Sequence, residues 1–398
     1  MKERIQLPDI EHCTGCQACR VACPVNAISM QENEKGHIYP VIDDTICIKC
    51  NKCAKTCPEL SPVATHEEQT TAYAMWINDE ENRKYSTSGG VSYLLSKKII
   101  EQNGYFCGAV YENARAVHKI TREKNEISKF QGSKYTHSDV NDVYKEIKKL
   151  LDDEKSVLFS STPCQVAALR SYLRKDYDNL YTIDILCHGV PSRKTLRDRI
   201  SYIQKEVQKG IKEIRFRDKQ PDQHHTCVKY IFDDNTALSI PVVNDEYFRC
   251  FVTNHSLREN CFNCKYSNCR RVGDITLADF WLYSATKLKY HSYKKGVSLV
   301  LVNSDKGKAL IESLRDKLTI DIRDITQAIR GNHNLKCPQL KPETFDQFWE
   351  EYLCGKTIEE LCTKYYPKEL PVPPDKITTR IKQFIKLTLS TLGIYKIR

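Results

Sequence analysis

The chain has 398 residues, 40% of them hydrophobic, which allows two or three domains with proper cores and excludes a disordered chain. Net charge is +10, but seven basic against two acidic residues between Lys368 and Arg398 supply +5 of it. The remaining basic excess is too thin for a nucleic-acid-binding surface. No apolar run of roughly eighteen residues is present to span a membrane, and Met1-Lys2-Glu3-Arg4 leads into Leu7-Pro8-Asp9 without a signal segment, so a cytoplasmic location is expected.

The first element is a doubled cysteine run. Cys13, Cys16, Cys19 and Cys23 are spaced C-x2-C-x2-C-x3-C and followed by proline, and Cys47, Cys50, Cys53 and Cys57 repeat the pattern. That spacing is the bacterial ferredoxin signature for [4Fe–4S] clusters. Three close thiolates hold one face of a cubane, and the fourth cysteine of each run ligates the other cluster. Cys13, Cys16, Cys19 and Cys57 are therefore expected to hold one cluster, and Cys47, Cys50, Cys53 and Cys23 the other. Zinc knuckles pair C-x2-C with a second distant pair and do not end in Cys-Pro twice. Eight of the 19 cysteines are thus assigned to clusters, which are assembled in reducing compartments.

Residues 1–60 form this module, and 61–71 read as a polar linker. From Ala72 the texture becomes α/β. Strands are predicted at Ala72–Ile77, Phe106–Tyr111, Val157–Phe159 and Tyr181–Leu186. Val91, Leu94, Leu95 and Ile99 trace a helix closed by Gly104. Ser138 and Asp139 are expected to cap a helix carrying Val143, Ile147, Leu150 and Leu151, and Gln165–Arg174 is helical. Residues 211–240 read as β-rich, 244–258 as a helix, Val297–Val302 as a buried strand and Gly307–Leu314 as a helix. The remainder to about Pro371 reads as mostly helical. The expected fold class is mixed, α+β or α/β. The domains are 1–60, a larger body at 72–335, and a helical region at 336–398.

Four stretches of the body carry chemistry. Ser86-Thr87-Ser88-Gly89-Gly90 opens a helix, where hydroxyls and bare N–H groups favour an anion, or simply cap the turn. Ser161-Thr162-Pro163-Cys164 lies between a strand and a helix, where α/β proteins bind ligands. Cys164 at the helix start is expected to have its thiol pKa lowered. Cys187-His188-Gly189 ends the next strand, and Cys261-Phe262-Asn263-Cys264 is a C-x2-C loop with Cys269 nearby. Cys164, Cys187, Cys261 and Cys264 suffice for a third [4Fe–4S] cluster or a tetrahedral zinc. Cys107, Cys227, Cys250, Cys337, Cys354 and Cys362 read as packing residues. Neither G-x-G-x-x-G nor a Walker loop occurs.

Ser88-Gly89-Gly90, Gln131-Gly132-Ser133-Lys134-Tyr135, Thr162-Pro163-Cys164-Gln165, Cys187-His188-Gly189-Val190-Pro191, Phe216-Arg217-Asp218-Lys219, Cys261-Phe262-Asn263-Cys264 and Asp274–Trp281 follow one another in the order of a known family. The chain resembles the coenzyme F420 hydrogenase/dehydrogenase beta-subunit family, from about Ala72 to Asn334, with a fused ferredoxin module. The resemblance implies an oxidoreductase with FAD beside a [4Fe–4S] cluster held by Cys164, Cys187, Cys261 and Cys264. It implies that Ser88, Gly89, Gly90, Ser133, Lys134, Ser161 and Thr162 lie along the flavin, and that His188 is a candidate proton donor. The implied partners are a small-molecule substrate or coenzyme F420 and a redox partner such as ferredoxin. Forms with this fusion resemble proteins of surface-polysaccharide gene clusters. Two departures from the family pattern stand out: Leu282 where glycine is common after Trp281, and Gln220-Pro221-Asp222-Gln223-His224-His225 after Lys219.

Beyond the body, Ile377, Ile381, Phe384, Ile385, Thr388 and Leu392 share a helical face beside Lys376, Arg380, Lys382 and Lys386. This basic amphipathic tail reads as contact with a membrane surface or a partner, which would place the protein at the inner membrane face. The leading expectation is an iron–sulfur flavoenzyme. An electron-transfer subunit of a larger dehydrogenase, without a substrate of its own, is the alternative, and a zinc-stabilised binding module is a third reading.

Overall fold

The computed structural model describes residues 6–112, 115–219, 226–287 and 295–366. The basic tail and His224-His225 lie outside the described residues. The N-terminal module is ferredoxin-like. Helix α1 (Ala18–Ala22) follows the first cysteine loop, β1 (Ile28–Glu32) and β2 (Ile38–Ile42) pair antiparallel, and α2 (Lys52–Lys55) follows the second cysteine loop. Each short helix starts from a left-handed residue, Gln17 at φ 66° and Asn51 at φ 57°, so the chain turns sharply where three cysteines must converge.

The body is built on one mixed sheet. Its strands are β3 (Thr71–Ile77), β4 (Tyr105–Glu112), β5 (Arg115–Thr121), β6 (Ser138–Asp139), β7 (Val157–Ser161), β8 (Leu180–Ile185), β12 (Ile275–Asp279), β13 (Ser298–Val302) and β14 (Leu318–Asp324). They run in the order β14-β3-β13-β12-β8-β7-β4-β5-β6. Strands β12, β8, β7 and β4 are parallel to one another, β13 is antiparallel to β12 and to β3, β14 is antiparallel to β3, and β5 is antiparallel to β4. β9 (Ile211–Asp218), β10 (Cys227–Phe232) and β11 (Ala237–Pro241) form a separate antiparallel sheet. Helices α4 (Val91–Glu101) and α10 (Asp305–Glu312) cover one face. α6 (Val143–Asp152) and α7 (Pro163–Leu173) cover the other. The parallel strands are apolar on both faces because helices cover both, as Leu158 and Phe159 illustrate in separate cores.

Three expectations are corrected. Ser138 and Asp139 do not cap a helix. They form β6 against Ala116 and Val117, and α6 begins at Val143, because Asp139 is drawn into bonds with Gln17 and Arg193. The helix expected over 244–258 is only Glu246–Val252, capped by Asp245 on Phe248 N. Leu318–Asp324 is an edge strand within the stretch read as helical. The alternation of Leu318, Ile320 and Ile322 is too short a signal beside flanking helices.

The cysteine module is docked rather than tethered. Cys16, Ala18 and Val21 belong to the same buried core as Tyr144, Val166 and Tyr266. Gln17 donates to Asp139 at 3.0 Å, Lys35 pairs with Glu259 at 3.0 Å and Lys265 with Glu59 at 2.8 Å, and Asn260 donates to His12 O at 2.7 Å. Gly36 sits against the N-terminus of α8 (Arg193–Val207), where a Cβ would meet Lys194 N at 2.5 Å. The 61–71 segment is also pinned. Arg170 donates to Ala64 O at 2.8 Å, and His66 N bonds Arg271 O at 2.8 Å. At the C-terminal side, α12 (Phe345–Leu353) and α13 (Ile358–Tyr365) pack an aromatic cluster around Trp349, and a capping box at Thr357 and Glu360 starts α13.

Candidate redox site

Two cavities in the module sort its cysteines. One is lined by Cys47, Cys50 and Cys53 together with Cys23, the other by Cys13, Cys16 and Cys19 together with Cys57. The fourth cysteine of each run thus crosses to the other cavity. The first cavity, here called outer, opens among Val25, Ile48 and Lys49, with Cys50 exposed. The second, inner cavity faces the body. Burial pushes the Cys13, Cys16 and Cys19 thiols above the ordinary range, and their mutual proximity adds to the shift at Cys16 and Cys19.

A further group of thiols stands at the carboxyl ends of β7 and β8, the usual ligand edge of an α/β sheet. Cys164 follows Pro163 in the first turn of α7, and Cys187 follows β8. Cys261 and Cys264 arrive on the loop that docks the module. Each of Cys164, Cys187 and Cys261 feels the charge of its companions in this quartet, Cys264 included. The lowered pKa expected for Cys164 is corrected. Burial, aided by Cys264 and Cys261, pushes it up to about 12, so desolvation outweighs the helix N-terminus. Cys261 is likewise pushed to about 12, and Val190 N lies 3.3 Å from its sulfur. Cys269 is turned elsewhere, its thiol donating to Leu335 O at 3.2 Å. Of the cysteines read as packing residues, Cys354 is exposed and Cys337 is half-buried beside His333, because neither faces a core. Cys250 and Cys362 are buried, with sulfurs 3.3 Å apart.

The inner cavity and the body quartet are neighbours. Tyr144 donates from one hydroxyl toward both Cys16 O, at 3.2 Å, and Gln165 O, at 3.3 Å. The Tyr266 phenol, raised by burial, also feels Glu59, Cys164, Cys16 and Cys264. The quartet's scaffold is stiff. Arg271, fully buried, reaches Asp184 at 2.9 Å and Tyr266 O at 2.7 Å, while Asp184 also accepts from Val272 N and Gly273 N. This ties the end of β8 to the cysteine loop.

The residues assigned to flavin fall in two places. Ser88, Gly89 and Gly90 lead into α4. Gly89 must be glycine, since a Cβ there would meet Ser298 N at 2.8 Å, and Gly90 adopts φ 84°. Ser133 N bonds Thr87 Oγ1 at 2.9 Å, which joins this turn to the 131–135 turn. Ser88 Oγ is engaged by Val297 O at 2.7 Å. Lys134 Nζ donates to Gln131 O at 2.9 Å and Gly132 O at 3.0 Å, and burial lowers it to about 7. Ser161 ends β7 and Thr162 caps α7, three strands from β13, where Ser88 and Gly89 are bonded, and so roughly 14 Å across the sheet, and both bond Gln165 Oε1. Arg83, Arg217 and Lys219 gather around the first place, unassigned by sequence reasoning although Phe216–Lys219 was a recognised motif. Lys219 donates to Ser88 O at 2.8 Å, and burial, then Arg83, lowers it to about 7. Gly132 opens to free space, and Ser133 is exposed. These turns gather hydroxyls and cations, and Lys134, Lys219 and Arg83 all donate to backbone carbonyls around them.

His188 lies against Phe251 with ring centroids 4.7 Å apart, and its Nε2 has no hydrogen-bond partner among the described residues. Burial lowers it below the usual imidazole range. Leu282 takes φ 61° and is 81% exposed, so the position where glycine is common holds a left-handed backbone that leucine tolerates at a cost.

The family model for the C terminus of the coenzyme F420 hydrogenase/dehydrogenase beta subunit matches residues 154–328, and a 4Fe–4S dicluster domain matches residues 12–60. The chain is 31% identical over 71 residues to ketoisovalerate oxidoreductase subunit VorC of Methanothermobacter marburgensis, covering 17% of this chain and 90% of that protein. It is 43% identical over 54 residues to Ferredoxin-3 of Chlorobaculum tepidum, covering 12% of this chain and 79% of that protein. Among solved structures, a chain of the F420-reducing [NiFe] hydrogenase complex from Methanosarcina barkeri aligns at 14% identity and TM-score 0.42, over 76% of this chain and 92% of that chain. Among the described residues, no helix is long and apolar enough to cross a membrane. The protein is an iron–sulfur, oxidoreductase-related electron-transfer chain, and it belongs to the coenzyme F420 hydrogenase/dehydrogenase beta-subunit family, with an N-terminal 4Fe–4S dicluster domain.

Proposed function

We propose that this protein is an iron–sulfur flavoprotein oxidoreductase that moves electrons between a one-electron carrier at the outer cavity and an organic substrate, or coenzyme F420, at the carboxyl edge of the body sheet. The supporting observation is the succession of three thiol quartets, outer, inner and body, with Tyr144 and Tyr266 between the last two. The groups they would hold supply one-electron transfer at the clusters, and FAD supplies conversion between one- and two-electron chemistry.

Cys23, Cys47, Cys50 and Cys53 hold the outer cluster in this reading, Cys13, Cys16, Cys19 and Cys57 the inner one, and Cys164, Cys187, Cys261 and Cys264 a third. Buried thiols held above their ordinary range become thiolates only against a strong cation such as an iron–sulfur core. Ser88, Gly89, Gly90 and Ser133, with Lys219 and Arg83, form the anionic end of the flavin site. Ser161 and Thr162 border it on the cluster side. His188 holds a proton at a ring nitrogen toward the substrate, and its neutral form limits it to hydrogen bonding or relay near neutrality.

The test is anaerobic purification with iron, acid-labile sulfide and flavin counted per chain. About twelve irons with one FAD is the expected result. About eight irons with one FAD removes the body cluster, and eight without flavin leaves only the dicluster module. A subunit without its own substrate is the second reading, favoured by VorC being by name an oxidoreductase subunit. Stable, active monomer in solution counts against it.

A further inference from the structure

Arg258 is 1% exposed and has no carboxylate partner among the described residues. Arg271, equally buried, has Asp184 at 2.9 Å. The Arg258 guanidinium donates to Ile38 O through both terminal nitrogens, Nη1 at 3.0 Å, and stacks 4.2 Å from the Tyr39 ring centroid. Its Nε makes no hydrogen bond. A Cβ on Gly15 would meet its Cζ at 2.9 Å, so the charge lies on the Cys13–Cys16 loop. Its own carbonyl accepts from Cys261 N at 2.9 Å, which places the same residue at the start of the body cysteine loop.

Its surroundings do not neutralise it. Glu59 is paired with Lys265, and Glu259 with Lys35 and Lys341. His37 and His137 are fully buried and held below the usual imidazole range by burial, with Arg258 adding to the effect, so they stay neutral. An unpaired guanidinium in a low-dielectric interior is costly unless an anion faces it. A cubane held by four thiolates is such an anion, and it gains one more negative charge on reduction.

We propose that Arg258 is the fixed counter-cation shared by the inner and body cluster sites, favouring their reduced forms over that of the outer site, so that electrons arriving at the outer face run inward. This rests on the cluster assignment proposed above. Arg258 acts through the clusters and is a positioning residue.

The test uses the full chain, loaded anaerobically, in three forms: native, R258Q and R258K. Iron and sulfide are counted, and the reduced centres are followed by electron paramagnetic resonance in a redox titration. R258Q keeps a donor for Ile38 O and removes the charge. At the poise where the native inner centre is half reduced, its reduced-to-oxidised ratio is expected to fall about tenfold, a midpoint about 59 mV more negative. The outer centre stays in place, and R258K titrates like native. An unchanged R258Q titration at native iron content overturns the proposal, as does an equal shift of the outer centre. Iron loss in R258Q that R258K restores supports it, whereas equal loss in both marks a packing role and overturns it. Native protein with eight irons would sink the body cluster alone, because the inner centre still reports on Arg258.

Discussion

The outer and inner cysteine loops share one sequence pattern and one backbone. Position three of each loop is left-handed, Gly15 at φ 67° and Lys49 at φ 54°, and each is followed by a left-handed helix start. Their surroundings differ completely. Cys16 is 8% exposed within a core shared with the body, while Cys50 is exposed and Ile48 beside it is 61% exposed. The repeat specifies the loop, and docking on the body specifies what the loop is for. The inner loop has become part of the junction, and the outer one remains a surface.

The largest effect separates them outright. Cys16→Ser is expected to lose the inner cluster, about four irons, and to stop electron delivery from the outer face to the body. It also leaves a hydroxyl in a closed core at a cost of about 1–3 kcal/mol. Cys50→Ser is expected to lose a similar amount of iron with little change in melting temperature. Iron analysis, anaerobic melts and stopped-flow reduction check both. Equal melting losses would mean that the two halves are equally exposed in solution.

Next in size is acid sensitivity, which belongs to the inner half. His118 is buried under it, bonded to Ser138 Oγ at 2.8 Å, and Ser138 O in turn accepts from Gln165 at 2.9 Å beside Cys164. Burial lowers His118 from 6.5 to about 4. The unfolded chain therefore binds this proton first as pH falls. Stability is complete above about pH 6.5, declines toward about pH 4 and then levels, by up to roughly 3 kcal/mol. His118→Gln should flatten that part of the pH profile of stability. A profile as steep as the native one would assign the sensitivity to another group.

A smaller contrast uses position three. Gly15→Ala adds left-handed strain of about 1–2 kcal/mol and pushes on the Arg258 guanidinium, whereas Lys49→Gly should change stability by less than about 0.5 kcal/mol, strain relief offsetting chain entropy. Thermal melts of the loaded protein decide it, and similar shifts in both would mean that the guanidinium does not press on the loop.

Much of this was legible in the chain. The doubled spacing of Cys13–Cys57 is local and carries its own chemistry, and strands such as Ala72–Ile77 announce themselves by apolar runs. The α/β body is legible from strand and helix periodicity, and the shared edge of Cys164 and Cys187 from their strand-end positions. What was not legible depends on distant partners. Asp139 leaves its helix for Arg193, Cys164 is desolvated by residues a hundred positions away, and Arg258 gains meaning only when Gly15 and Tyr39 are brought to it. Arg83 and Lys219 were missed for the same reason, since nothing local marks a cation that will meet Ser88 or Gly296.

The smallest expected effect belongs to the outer surface. Ile46 and Ile48 are exposed around Cys50, with Lys49, Lys52 and Lys55 exposed beside them and Asp43 and Asp44 on the same loop. An apolar centre with a basic margin suits an acidic one-electron carrier such as a reduced ferredoxin. Charges at such a margin act mainly on the rate of encounter, which falls with salt, and far less on what happens after docking. Lys49→Glu with Lys52→Glu and Lys55→Glu should therefore slow reduction by an acidic ferredoxin about tenfold at low ionic strength and converge with native at high salt. Reduction by dithionite, which needs no docked protein, should change much less, and the inner centre's potential should not move. Because Lys49 belongs to the cysteine loop while Lys52 and Lys55 belong to α2, the double variant without Lys49 separates encounter from any disturbance of the loop. If that double variant is as fast as native with ferredoxin, the basic margin is not the approach side, and the carrier reaches the outer cluster over the apolar face of Ile46 and Ile48.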